Sequence, residues 1–137
     1  MTTPRTVLVV DDEPQLLRLV SRVLTRAGLQ TLVAADADEA MRVFRGASEI
    51  DLVLLDVILP DGQGAAELMP RMLAERPDLE VVVTSGDQLP ESLEQALAAA
   101  GGRYLRKPFV PRTLLRTLGV AEVGSAGSAG PTTSEAG

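Results

Sequence analysis

The sequence predicts an open, doubly wound α/β sandwich: a five-stranded parallel sheet with helices on both faces. Three observations carry this prediction. Short aliphatic runs alternate with segments of helical periodicity. The runs show no polar alternation, which marks strands buried on both faces. Strands separated by helices imply parallel neighbours joined by right-handed crossovers.

The elements follow in order. TVLVV (6–10) is a β-branched aliphatic run that ends in Asp11-Asp12. Residues 14–28 carry apolar side chains at 16, 17, 19, 20, 23 and 24 with arginines between them, an amphipathic helix closed by Gly28. Asp12, three residues before Gln15, fits an N-cap of that helix. LQTLVAA (29–35) is the second strand, and 36–46 the second helix, with Asp36 or Asp38 as its cap. DLVLLD (51–56) is the third strand, followed by a Pro-Asp-Gly turn at 60–62. Residues 65–75 form a helix in spite of Pro70, which predicts a kink or a place near the first turn. LEVVVTS (79–85) is the fourth strand, and 90–101 a helix opened by proline and closed by glycine. The fifth strand, starting at Arg103, must stop before Pro108, and 110–118 is a last short helix. The domain therefore occupies residues 1–118. Residues 119–137, rich in Gly, Ala and Ser, read as a disordered tail.

Composition narrows the chemistry. The 137 residues suffice for one domain with a real core. The formal charge is −6 and no lysine or arginine block occurs, which argues against direct nucleic-acid binding. Cysteine and histidine are both absent. That removes disulfides, thiolate nucleophiles, Cys/His metal sites and histidine-based triads. Any metal site must be built from oxygen, which favours Mg²⁺, Mn²⁺ or Ca²⁺. No apolar run approaches the roughly 18 residues of a membrane span. The N-terminal segment reaches acidic residues too soon for a signal peptide, so the expected location is cytoplasmic, without membrane contact.

In an open parallel sheet the ligand site lies beyond the carboxyl ends of the strands. The residues that fall there are Asp11 and Asp12, Asp56, Thr84 and Ser85, and Lys107. A lone carboxylate beside the most hydrophobic strand would be costly. Three carboxylates repel one another, and a hard divalent cation relieves the repulsion. Lysine is a good point-charge partner for a phosphoryl group, and an aspartate can itself become an aspartyl-phosphate. Each member alone has an ordinary reading as a cap, turn or strand exit. Their convergence on one sheet edge is the specific signal.

At these residues the sequence resembles the receiver domains of bacterial two-component response regulators. VLVVDDEP, LLDVILPDG, VVVTSG and YLRKPF stand in that family's order and spacing, covering about residues 5–118. The resemblance implies a flavodoxin-like sheet of strand order 2-1-3-4-5. It implies phosphorylation of Asp56 by a histidine kinase or phosphotransfer protein, with Mg²⁺ held by Asp11, Asp12, Asp56 and the Ile58 backbone carbonyl. Lys107 would pair with the phosphoryl group. Ser85 and Tyr104 would be the switch pair, and the Lys107–Pro108 bond would be cis. A downstream partner would bind the face made by the fourth helix, fifth strand and fifth helix, and the family admits a phosphorylation-dependent dimer. Lacking histidine, the chain cannot be its own phosphohistidine donor. The tail in place of an output domain implies a stand-alone receiver or one taken from a hybrid kinase, and the TSGD segment leans toward the latter.

A second reading is a Mg²⁺-dependent phosphohydrolase with Asp56 as nucleophile. Such an enzyme needs a proton donor two residues later, where this chain has Ile58, and a cap to enclose substrate. A third is a receiver-like module that never takes phosphate. The intact Asp-Asp, Asp, Ser and Lys set argues against it.

Overall fold

The computed structural model describes residues 5–60 and 62–120. Ten elements alternate along the chain: β1 (Thr6–Val10), α1 (Pro14–Arg26), β2 (Gln30–Ala34), α2 (Ala37–Gly46), β3 (Ile50–Asp56), α3 (Ala65–Glu75), β4 (Glu80–Ser85), α4 (Glu91–Ala99), β5 (Arg103–Arg106) and α5 (Pro111–Thr117). All pairings are parallel, and the strand order is β2-β1-β3-β4-β5. The fold class, the strand order and every predicted element are present. Element ends differ from the sequence reading by a residue or two.

The inner strands β1, β3 and β4 are mainly aliphatic because each face of the sheet has its own core, whereas the edge strands β2 and β5 are partly exposed and carry Gln30, Thr31, Arg103 and Arg106. Leu8, Val10, Val53, Leu55, Val81 and Val83 point toward α2, α3 and α4, where Phe44, Leu68, Met72 and Leu97 meet them. Val7, Val9, Leu52, Leu54, Val82 and Leu105 point the other way, toward Val20 and Leu24 of α1, Leu114 and Leu115 of α5, and Leu118 at its C-cap. Successive residues thus serve opposite cores, as a period of two requires.

Helix ends follow local chemistry, with corrections to the sequence reading. Asp12 does not cap α1. Pro14 occupies the first helical turn, so Glu13 is the N-cap and makes no side-chain cap bond. Proline fixes φ and has no N–H, so it settles at this first position and moves the cap one residue along. Asp12 is left exposed. Asp36, not Asp38, caps α2, its Oδ1 accepting from the Glu39 N–H at 2.8 Å. Pro70 lies within the second turn of α3 rather than near its first, and helix continues on both sides of it. Gly28 and Gly119 have φ of +91° and +76° and close α1 and α5. In each case the residue beyond the glycine reaches back to a helical carbonyl, Leu29 to Leu24 at 3.0 Å and Val120 to Leu115 at 2.9 Å. This is the bonding of a Schellman closure. Gly119 and Val120, assigned to the tail by composition, therefore terminate α5, and Val120 packs on the second core. The remainder of that tail, 121–137, lies outside the described residues. No helix among the described residues is long and apolar enough to cross a membrane.

Candidate functional site

The parallel register brings the predicted groups to one edge. Val10 pairs with Leu55, Asp56 with Thr84, and Ser85 with Arg106. The ladders run one bond past the strand ends. The Asp11 N–H donates to the Ala34 carbonyl at 3.1 Å, and the Lys107 N–H to the Ser85 carbonyl at 2.8 Å. These bonds fix the backbone of both residues while their side chains turn toward Asp56. The Lys107–Pro108 peptide is cis, as the resemblance implied.

The centre of the site is an ammonium shared by two buried carboxylates. Lys107 Nζ lies 2.7 Å from Asp11 Oδ2 and 3.1 Å from Asp56 Oδ2. Asp11 is 2% exposed and Asp56 is 8%, so their charges meet little solvent. Their second oxygens are held by backbone. Asp11 Oδ1 accepts from the Glu13 N–H at 2.9 Å, and Asp56 Oδ1 from the Ile58 N–H at 3.3 Å. Glu13 adds a carboxylate that sequence reasoning passed over, with Oε1 3.8 Å from Lys107 Nζ. The signal was the third acid in Asp11-Asp12-Glu13.

One cation does not balance this cluster. Burial raises the Asp56 carboxyl above the ordinary range, and the charge of Asp11 raises it further. Lys107 and the Ile58 N–H offset only part of this. For Lys107, burial pulls the ammonium down, but its bonds to Asp11 and Asp56 prevail and hold it above the usual lysine range. Lys107 is thus a fixed cation among surplus negative charge.

Asp11, Asp12 and Asp56 each offer a carboxylate oxygen, all within 4.8 Å of one another. The fit to a divalent cation rests on the donor set. Every donor is a hard oxygen, exposed Asp12 leaves a side open to water, and three carboxylates against one lysine leave about two negative charges. Ile58 lies in the loop that follows Asp56 and is 75% exposed.

The structure brings Ser85 and Tyr104 together, but not onto Asp56. Ser85 Oγ accepts from the Asp87 N–H at 3.0 Å. The Tyr104 hydroxyl donates to the Asp87 carbonyl at 2.8 Å and lies 3.3 Å from that of Ser85. Thr84 is buried, with Oγ1 3.5 Å from the Leu55 carbonyl, and belongs to the sheet interior.

A doubly wound parallel sheet that gathers three carboxylates and a lysine at its carboxyl edge places them where open α/β proteins bind ligands. Residues 7–119 match the family described as response regulator receiver domain, and the chain belongs to that family. It is 37% identical over 129 residues to the probable transcriptional regulatory protein TcrX of Mycobacterium tuberculosis, covering 89% of this chain and 54% of that one. It is 34% identical over 119 residues to the DNA-binding transcriptional regulator NtrC of Rhizobium meliloti, covering 87% of this chain and 24% of that one. The chain thus spans about half, or a quarter, of the length of these curated relatives. Among solved structures, chemotaxis protein CheY4 of Vibrio cholerae superposes with a TM-score of 0.77 at 30% identity, covering 85% of this chain and 98% of that one. A receiver domain protein of Methanospirillum hungatei gives 0.77 at 27% identity, with coverage of 85% and 92%.

The surplus charge has a consequence for stability. The folded protein holds the Asp56 proton more tightly than the unfolded chain does. This carboxyl therefore contributes stability below the ordinary carboxylate range and loses it as pH rises through its raised folded-state pKa. Asp56→Asn is expected to be more stable than the parent at pH 7 without divalent cations, by about 1 kcal/mol. The gain should shrink as pH falls below the ordinary carboxylate range. Urea denaturation at pH 7 and at acid pH measures both. A less stable variant at pH 7 would show that the Lys107 pairing outweighs burial and repulsion.

Proposed function

We propose that this receiver accepts a phosphoryl group on Asp56 from a histidine kinase, a phosphotransfer protein or a small phosphodonor, and thereby changes its binding to a partner protein. The observation that carries this reading is the Lys107 ammonium held between Asp11 and Asp56 beside an unbalanced acidic cluster. Asp56 ends the middle strand of the sheet and is the buried carboxylate that faces both Asp11 and Lys107. An Asp56 oxygen would attack phosphorus as the P–N bond to the donor histidine breaks, and the imidazole would leave with the bonding pair. Asp11, Asp12, Asp56 and the Ile58 carbonyl would hold Mg²⁺, which when bound neutralises charge on the phosphoryl oxygens. Lys107 would leave Asp11 for a phosphoryl oxygen, and Ser85 Oγ would give up the Asp87 amide for another. Tyr104 bonds the loop that carries Asp87, so loop and ring would move together, a shift between two populations.

The changed surface would be that of α4, β5 and α5, open to a partner protein or a phosphorylation-dependent dimer. The TcrX and NtrC relatives are transcriptional regulators by name, which supports control of transcription as the output and the cytoplasm as the location. The four acids at the phosphoacceptor end oppose direct contact of that end with nucleic acid. The hydrolase reading is weaker, since Ile58 stands where a general acid is needed and carries no proton to give. The proposed chemistry is confined to the protein's own phosphorylation and dephosphorylation.

Acetyl phosphate with Mg²⁺ is expected to add one phosphoryl group, seen by intact mass. Asp56→Asn or chelation of the metal should abolish it. Undiminished labelling of Asp56→Asn would refute the assignment. Lifetime gives a separate check. The exposed Ile58 side chain cannot orient a hydrolytic water and shields the phosphoryl group from it. Ile58→Asn is therefore expected to speed decay of the phosphorylated protein several-fold, as for one positioning bond worth about 1 kcal/mol. Decay at the parent rate would remove Ile58 as the brake.

A further inference from the structure

The loop between β3 and α3 folds back so that Gly64 lies against the peptide that follows Asp56. A β-carbon at Gly64 would collide with the Val57 carbonyl oxygen, and it would lie 2.6 Å from the Val57 carbonyl carbon and 3.2 Å from the Ile58 nitrogen. Backbone conformation is not the reason for glycine here. Its φ of −161° is extended and open to any residue. The requirement is space. The peptide it touches is held on both sides: the Val57 N–H donates to the Thr84 carbonyl at 3.0 Å, and the Ile58 N–H donates to Asp56 Oδ1 at 3.3 Å. Gly64 is itself anchored, its N–H donating to Glu67 Oε1 at 2.8 Å, which ties the contact to the first turn of α3.

We infer that Gly64 is a positioning residue for the phosphoacceptor site: its bare α-carbon sets the Val57–Ile58 peptide, and through it both the Asp56 carboxylate and the Ile58 carbonyl. The inference rests on the phosphoacceptor reading for its cation. The peptide's N–H orients one oxygen of Asp56, and the next carbonyl along the chain belongs to Ile58. A side chain at position 64 cannot be accommodated by a rotamer change, because the atoms it meets are backbone. The Val57–Ile58 peptide must move, and the bond to Asp56 moves with it.

Gly62 supplies the internal control. It lies in the same loop with φ of +80°, and a β-carbon there would meet nothing within 4 Å. Asparagine tolerates that left-handed conformation, so Gly62→Asn alters the loop without a β-carbon collision at Val57.

The test is calorimetric titration of the full chain with Mg²⁺, paired with the backbone amide resonance of Ile58 recorded without Mg²⁺. Gly64→Ala is expected to weaken Mg²⁺ binding by about tenfold or more, the range seen when residues supporting a metal's ligands are changed. It should also shift the Ile58 amide resonance in the metal-free protein. Gly62→Asn should leave both within about twofold and unshifted, respectively. If Gly64→Ala does not fold, Glu67→Ala decides, since it removes the anchor without inserting an atom at Gly64. A several-fold loss of Mg²⁺ affinity with a moved Ile58 amide supports the inference. Parent-like affinity and an unmoved amide in Gly64→Ala, or in Glu67→Ala where that variant decides, overturn it. Equal loss in Gly62→Asn also overturns it. If the parent protein binds no Mg²⁺, the phosphoacceptor reading fails on its own account, and the Ile58 amide comparison still decides the role of Gly64.

Discussion

One ammonium group between two buried carboxylates is the interaction on which the rest of this structure depends. Lys107 reaches Asp11 and Asp56 from the far side of β4, across a sheet in which β5 and β1 are not neighbours. That reach requires three strand ends at one level, which the parallel register provides. It also requires the backbone of Asp11 and Lys107 to be held by ladder bonds beyond the strands proper. The two cores, one on each face, stabilise the sheet that carries these ends. An isolated Asp56 at 8% exposure would be a liability to folding. With Lys107 it is tolerated, and with Asp11, Asp12 and Glu13 beside it the edge keeps a need for more positive charge.

That residual need connects stability to function. A site fully neutralised by its own side chains would have no electrostatic reason to take a cation or hold a phosphoryl group near one. Here the acids outnumber the lysine, and Asp56 is held above its ordinary pKa by burial and by Asp11. Lys107 bonds Asp11 and Asp56 through its side chain and Ser85 through its backbone. Tyr104 bonds the carbonyls of Ser85 and Asp87. These bonds run from Lys107 through Ser85 to the loop to which the Tyr104 hydroxyl is bonded. The link is a chain of direct hydrogen bonds rather than a correlation over distance.

Most of the fold was legible because its signals are local and strong. Uninterrupted aliphatic runs such as LVLL at 52–55 cannot be half-exposed strands, and each is punctuated by Gly, Pro or Asp. The convergence of Asp11, Asp12, Asp56 and Lys107 followed from topology alone once the sheet was taken as parallel. What was not legible depended on competition or on three-dimensional approach. Asp12 looked like a cap, but Pro14 placed the cap at Glu13. Val120 looked like tail, but Gly119 turns it back onto Leu115. Glu13 approaches Lys107 only through the turn that leaves β1. Gly64 carries no signal in sequence, because its importance lies in the backbone that passes over it.

The most direct test of this account is a crystal structure of the protein with Mg²⁺ and beryllofluoride, a phosphoryl mimic that bonds to carboxylate oxygen. The account predicts the mimic on Asp56 and the cation among Asp11, Asp12 and Asp56. It predicts Lys107 Nζ released from Asp11 onto a fluoride, and Ser85 Oγ turned away from the Asp87 amide toward another. A structure in which Lys107 still bridges Asp11 and Asp56, with the mimic or the cation bound elsewhere, would contradict it.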